Sequence, residues 1–244
     1  HSGVAASLAQ RLLDEATPTL GDARALGLLG GWDGHMDADS PAAALVGTVR
    51  AELVRLLCHE LGLVHDRLPE VPGPSLHQTL RFVNARMAFW LDDASLVSTD
   101  VLTSALRFAV RSLELSQGPV PARWRWGAVH RSRWAHPLLA LRPDLAGQLE
   151  VPPALELGGD NECVWATSTA PPSTDASNAQ VARYVFDVGD WDRSAWVVPH
   201  GVSGDSRSPH HLDQLDAWAS MQLRPMRYSA AAVDAATESV TELT

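Results

Sequence analysis

Residues 183–218 constrain the fold of this chain more than any other stretch. Two short apolar runs rich in Tyr, Val, Phe and Trp flank the turn Gly189-Asp190-Trp191-Asp192, which predicts a β-hairpin or two neighbouring strands. Within the first run, Arg183 and Asp187 stand at i and i+4, a spacing that puts both on one strand face, as a structural ion pair or as a polar ornament of the sheet. A glycine-rich turn, Gly201-Val202-Ser203-Gly204, comes next. Ser208 then reads as an N-cap and Pro209 as the first helical residue, predicting a helix with Leu212, Leu215 and Trp218 on one face.

The chain before this stretch has two textures. Up to residue 118 it is helical. Ser2 caps a helix running to about Ala16, with Val4, Leu8 and Leu12 on one stripe, and Asp22 caps a short second helix ending at Gly30-Gly31. Trp32-Asp33-Gly34 forms a turn. The clearest helix, residues 37–62, has Ser40 as N-cap, Pro41 at its first position, and Leu45, Val49, Leu53, Leu56 and Leu57 at helical spacing. A proline-rich linker, residues 69–74, precedes a helix capped by Ser75 with Leu76, Leu80, Val83, Met87 and Trp90 inward. A last one begins near Asp100 and ends at Gly118. From residue 119 the sequence turns to Trp, Gly and Pro: residues 161–166 read as a strand, 171–178 as a polar loop, and Ser229 as the cap of a final helix. The expected organisation is α+β, with a helical region at 1–118 and a strand-rich region at 119–244.

Composition narrows the chemistry. A chain of 244 residues can bury a real core, as one large or two small domains. The net charge of −10 argues against nucleic acid, whose phosphates are bound by clustered cations. All 19 basic residues are Arg, so Lys-based Schiff-base and general-base chemistry is absent. No apolar run is long enough to cross a bilayer, and no membrane partner is expected. Cys58 and Cys163 stand in no zinc-ligand or CxxC context; Cys58 sits in an apolar helical pattern that favours a buried free thiol. The sequence starts without Met inside a helical pattern, which suggests a processed or truncated piece of a longer chain.

Several strings imitate active-site motifs. Cys58-His59-Glu60-Leu61-Gly62-Leu63-Val64-His65 resembles a zinc-protease helix, but that motif needs its second His four residues after the first, and position 63 is Leu. His65 falls about 240° round from His59 at 3.6 residues per turn. His210 and His211 are adjacent and splay about 100° apart on a helix, so they do not share an ion. His130 and His136 read as packing or hydrogen-bonding residues. Gly201-Val202-Ser203-Gly204 is not a nucleophile elbow, because the second glycine comes one residue early, and Gly204-Asp205-Ser206 lacks the glycines of a serine-protease oxyanion hole. Asp33 and Asp187 read as turn anchors, and Asp213 as outward-facing or paired with an Arg. Trp124, Trp126 and Trp134 either line an apolar pocket or fill the core, and without interleaved basic grooves core filling is favoured.

The chain resembles the penicillin acylase family of N-terminal-nucleophile hydrolases, and specifically the C-terminal part of the large chain. The match rests on Arg183, Val185 and Asp187; Trp196; Gly201, Ser203 and Gly204; and Ser208, Pro209, His210, Asp213, Gln214 and Trp218. Upstream it includes His1 and Ser2, the Trp32-Asp33-Gly34 turn with Ser40, Ala42 and Ala43, then Trp126, Gly127, His130, His136, Pro137 and Leu138, and finally Gly158, Gly159 and Val164. The resemblance implies part of an αββα sandwich and hydrolysis of an amide between an acyl chain and an amine, with penicillins, lipopeptides or acyl-homoserine lactones as substrate types. It implies a catalytic Ser freed by autocatalytic cleavage, with its own α-amine as base. The oxyanion groups and a structural calcium would also belong to the complete enzyme, and its location would be periplasmic or secreted. All those positions lie upstream of the matched part. Residue 1 is His and Ser2 has no free amine, so no catalytic, cofactor-binding or metal position carries over, and the expected partner is the upstream chain bearing the Ser. The alternative is a non-catalytic interaction module that reuses the acylase tail.

Overall fold

The computed structural model describes residues 1–63, 76–134, 137–145 and 152–242. The 69–74 linker, Ser75, His65 and His136 fall outside the described residues. The chain forms two compact units, one of His1–Trp134 with Pro153–Ala179, the other of Ala135–Pro152 with Gln180–Thr244.

Short local signals start most helices of the first unit. In α1, Gly3–Glu15, the Ser2 hydroxyl accepts from the Ala5 amide, and Ala5, Leu8, Ala9 and Leu12 are buried. Helix α2, Leu20–Leu26, starts one turn differently from expectation: Thr19 is the N-cap, and Asp22 sits inside the helix as the reciprocal partner of a capping box. The central helix α3, Pro41–Glu60, has Ser40 as its cap and Pro41 at its first turn. It packs against α1, against α4 (Leu76–Asn84), against α6 (Thr99–Gln117) and against α7 (Trp126–Val129). Encirclement explains why residues 42–54 of α3 are buried on every side, including Thr48, Arg50 and Glu52. Each fully buried Leu there contributes about 1.5–3 kcal/mol by leaving water.

The helix expected to run through Met87 and Trp90 is broken at Ala85-Arg86, leaving α5 as Met87–Leu91. The Trp90 indole donates to the carbonyl of Val83 (3.1 Å), an interaction across the break. Helix α6 is capped by Ser98 and stopped by Gly118 at φ +90°, and it buries Leu102, Leu106, Ala109 and Leu113.

Residues 161–166 do not form the expected strand. The Asp160 carboxylate accepts from the amides of Glu162 and Cys163, both at 2.9 Å, which curls the backbone so that Val164 is 92% exposed. The ladder begins only at β1, Thr167–Thr169, paired antiparallel with β2, Ala176–Ala179, which overlaps the end of the polar loop expected at 171–178. Both cysteines are buried and free.

The second unit is built on an antiparallel sheet of β3 (Arg183–Val185), β4 (Ala195–Val197) and β5 (Arg224–Pro225), in that order. Strands β3 and β4 pair antiparallel, the hairpin being one of the two arrangements that the apolar runs predicted, and the register sets Tyr184 opposite Trp196. The helix foreseen at Ser208 is absent there. The Ser208 hydroxyl accepts from the His210 amide, the Ser203 amide donates to the His210 carbonyl, and the Gln214 amide donates to the His200 carbonyl. These local bonds hold the donors in a turn, so α8 spans only Leu215–Ala219, with Leu215 and Trp218 buried. His210 and His211 are thus turn residues. Arg183 and Asp187 do not pair, because β3 ends at Val185: Arg183 lies over the Trp218 ring and donates to its carbonyl, while Asp187 pairs with Arg193. Asp192 accepts from the amides of Tyr228 and Ser229, and Ser229 caps α9, Ala230–Ala236. Outside the small core, Tyr184, Phe186, Trp191 and Tyr228 remain exposed and touch in a run of rings.

Candidate functional site

The first unit carries a groove of about 600 Å³ between α4 and residues 160–169, lined by Arg81, Phe82, Asn161, Glu162, Ser168 and Thr169 among others. Its lining residues Asn161, Glu162 and Thr169 belong to a polar network centred on Arg50, which α3 delivers into the interior. The Arg50 guanidinium donates to the Asn84 side chain (2.7 Å) and main-chain carbonyl (2.9 Å). It forks onto both oxygens of Glu162 and lies 3.6 Å from the Asp160 carboxylate. The Asn84 amide reaches the Thr169 hydroxyl at 3.3 Å, and Asn161 accepts from the Thr169 amide, so one network joins the two walls.

Burial works to raise the Asp160 carboxyl. The Ser2 hydroxyl, the Arg50 charge and the Glu162 amide outweigh it and hold the carboxyl below its usual range. A charge buried this deeply is tolerated only while paired, and removing one partner of such a pair typically costs about 3–5 kcal/mol. The sequence offered one signal for this network: Arg50 falls midway along a helix rich in apolar residues, where a buried charge demands a partner.

Beneath the same segment, His130 is fully buried and stacked on Trp126 with ring centroids 4.3 Å apart. Desolvation pushes its pKa down to about 4. Nδ1 faces the Thr174 carbonyl at 2.6 Å, which fixes the proton on that nitrogen in the neutral ring. Nε2 lies 2.9 Å from the Thr167 hydroxyl oxygen, which donates its proton to the Gly158 carbonyl at 2.7 Å. Trp126 donates to the Gly159 carbonyl and Trp124 to that of Gly118, both at 2.9 Å, so these rings fill the core as expected. His130 is a packing and hydrogen-bonding residue in a rigid wall.

The remaining candidates are dispersed. His59 and Glu60 are exposed at the end of α3. Asp33 anchors a turn by accepting from the His35 amide, and Asp187 does so with the amides of Gly189 and Asp190. Asp213 pairs with Arg224 and His210. Ser203 accepts from the Asp205 amide, as a turn residue does. Among the described residues, one group of His, Cys, Asp or Glu has three metal-ligating atoms close together: His1, Asp33 and His35. Two imidazoles and one carboxylate do not suit the calcium implied by the resemblance, which takes six to eight oxygen ligands.

Helices, two small antiparallel sheets and a buried charged network define an α+β protein. Within that class the chain belongs to the penicillin amidase family, whose sequence model matches residues 1–235. It is 36% identical over 207 residues to penicillin acylase 2 proenzyme of Pseudomonas sp. (strain SE83), covering 81% of this chain and 26% of that protein. It is 26% identical over 216 residues to acyl-homoserine lactone acylase QuiP of Pseudomonas aeruginosa, covering 77% of this chain and 25% of that one. A thermostable penicillin G acylase from Alcaligenes faecalis aligns over 97% of this chain and 45% of its own, with 21% identity and a TM-score of 0.44. The chain therefore spans about a quarter of the length of the curated relatives it matches.

Proposed function

We propose that this chain is the C-terminal part of an acylase that hydrolyses the amide between an acyl side chain and an amine. In this reading the catalytic Ser and the oxyanion groups stand on upstream polypeptide, and the present residues form scaffold and one wall of the substrate pocket. The observation that carries the reading is the family match over residues 1–235, combined with a span of only about a quarter of the relatives. The groove over Glu162 supports it further. Arg81 and Phe82 on one side, and Ser168 and Thr169 on the other, offer a mixed polar and apolar surface held rigid by the Arg50 network.

The substrates proposed are acyl amides of the β-lactam, lipopeptide or acyl-homoserine-lactone type, and the partner is the upstream acylase chain. Among the described residues no helix is long and apolar enough to cross a membrane. A periplasmic or secreted location is proposed from the family.

The test is N-terminal sequencing and intact-mass measurement of the complete protein, followed by an assay on a panel of acyl amides. An associated chain beginning with Ser, turnover by the complete protein, and none by residues 1–244 alone are the expected results. Amide hydrolysis by residues 1–244 alone would overturn the assignment of scaffold.

A further inference from the structure

Two segments distant in sequence meet at the surface of the first unit, and the backbone locks them together. The Ser2 amide donates to the Gly34 carbonyl at 2.9 Å. Gly34 adopts φ +88°, and a Cβ there would sit 2.7 Å from the Ser2 carbonyl oxygen, so the close approach needs glycine. The loop is held on its other side as well. The Trp32 indole donates to the His35 carbonyl (3.2 Å), and Asp33 accepts from the His35 amide (3.1 Å).

This frame presents the side chains of His1, Asp33 and His35 side by side, all exposed. The His1 and His35 rings meet edge to face with centroids 4.7 Å apart, and His35 Nδ1 lies 2.7 Å from the Asp33 carboxylate. One ligand atom from each residue lies within 4.8 Å of those from the other two.

We propose that His1, Asp33 and His35 form a binding site for a divalent transition-metal ion of the zinc class, with water completing the coordination. The donor set decides the class, since neutral imidazole nitrogens with a carboxylate suit zinc, cobalt, nickel or copper, whereas calcium and magnesium prefer oxygen alone. Zn–N and Zn–O distances of about 2.0–2.2 Å put neighbouring ligand atoms roughly 3.3 Å apart in a tetrahedron. Closing from 4.8 Å to that spacing needs only side-chain rotation, which exposed residues are free to make. The backbone spacing, the part hardest to adjust, is already set by the Ser2–Gly34 bond. A dication here would tie the start of α1 to the loop leading into α3.

The test titrates the complete protein with Co²⁺, read by its visible d–d absorption, and then with Zn²⁺ in competition with a chromophoric chelator. His35→Ala and Asp33→Asn are run in parallel. Because both side chains are exposed, the variants should keep the parent's circular dichroism spectrum. The expected result is one equivalent of Co²⁺ bound with tetrahedral-type absorption in the parent, with affinity weakened at least tenfold in each variant. A chelator should lower the Tm of the zinc-loaded parent and leave that of His35→Ala unchanged. Superimposable titrations of the parent and His35→Ala would overturn the site.

Discussion

His130 shows how much of this molecule is decided one side chain at a time. The ring is sealed against Trp126 and held neutral, with a pKa depressed to about 4 from an ordinary 6.5. Between those two values the unfolded chain binds a proton that the folded chain refuses, so folding stability rises with pH across that window. The contribution is fully present above pH 6.5 and is lost as the pH falls toward 4. At about 1.4 kcal/mol per unit it amounts to roughly 3 kcal/mol. Denaturant titrations at pH 7 and pH 4.5 should show this loss, and His130→Gln should flatten that part of the profile. An unchanged slope in the variant would mean that other groups dominate acid unfolding. The sequence placed His130 among hydrogen-bonding residues correctly, since a His amid Trp and Gly has few other uses. It did not reveal the partners, because Thr167 and Thr174 are brought in by the fold from far along the chain. The same limit hid the link from Arg50 to Glu162, whose sequence separation is 112.

At the scale of elements, legibility followed locality. Ser2, Ser40 with Pro41, and Ser229 each cap the helix their spacing announced, because a cap is made by residues three apart. Where side chains compete for backbone donors, propensity misled: Ser208 closes a turn, and Asp160 curls a segment that looked extended. Helix α3 carries a constraint that no local pattern exposes. A Cβ at Gly47 would lie 2.4 Å from the Trp126 ring, which is itself fully buried, stacked and hydrogen-bonded. Alanine in place of glycine normally stabilises a helix by about 1 kcal/mol. Here overpacking of about 1–3 kcal/mol acts against it, at the upper end because Trp126 has nowhere to move. Gly47→Ala should therefore lower the Tm, as measured by calorimetry. A raised Tm would show that α3 and α7 sit further apart than described.

Across the whole molecule, the α+β pattern and family membership were readable because many residue types recur at fixed offsets along most of the chain. The proposed upstream polypeptide also gives a setting for the rings of the second unit. Tyr184, Phe186, Trp191 and Tyr228 present a continuous aromatic surface to water, and β3 lies at the edge of its sheet. A free-standing protein that displays such a patch invites stickiness. Residues 1–244 produced alone should bind the dye ANS and elute from size exclusion above their monomer mass. Replacing Tyr184 and Phe186 with Glu should return them to the monomer position. Anyone preparing this polypeptide by itself would thus meet a solubility problem written into a single run of four rings.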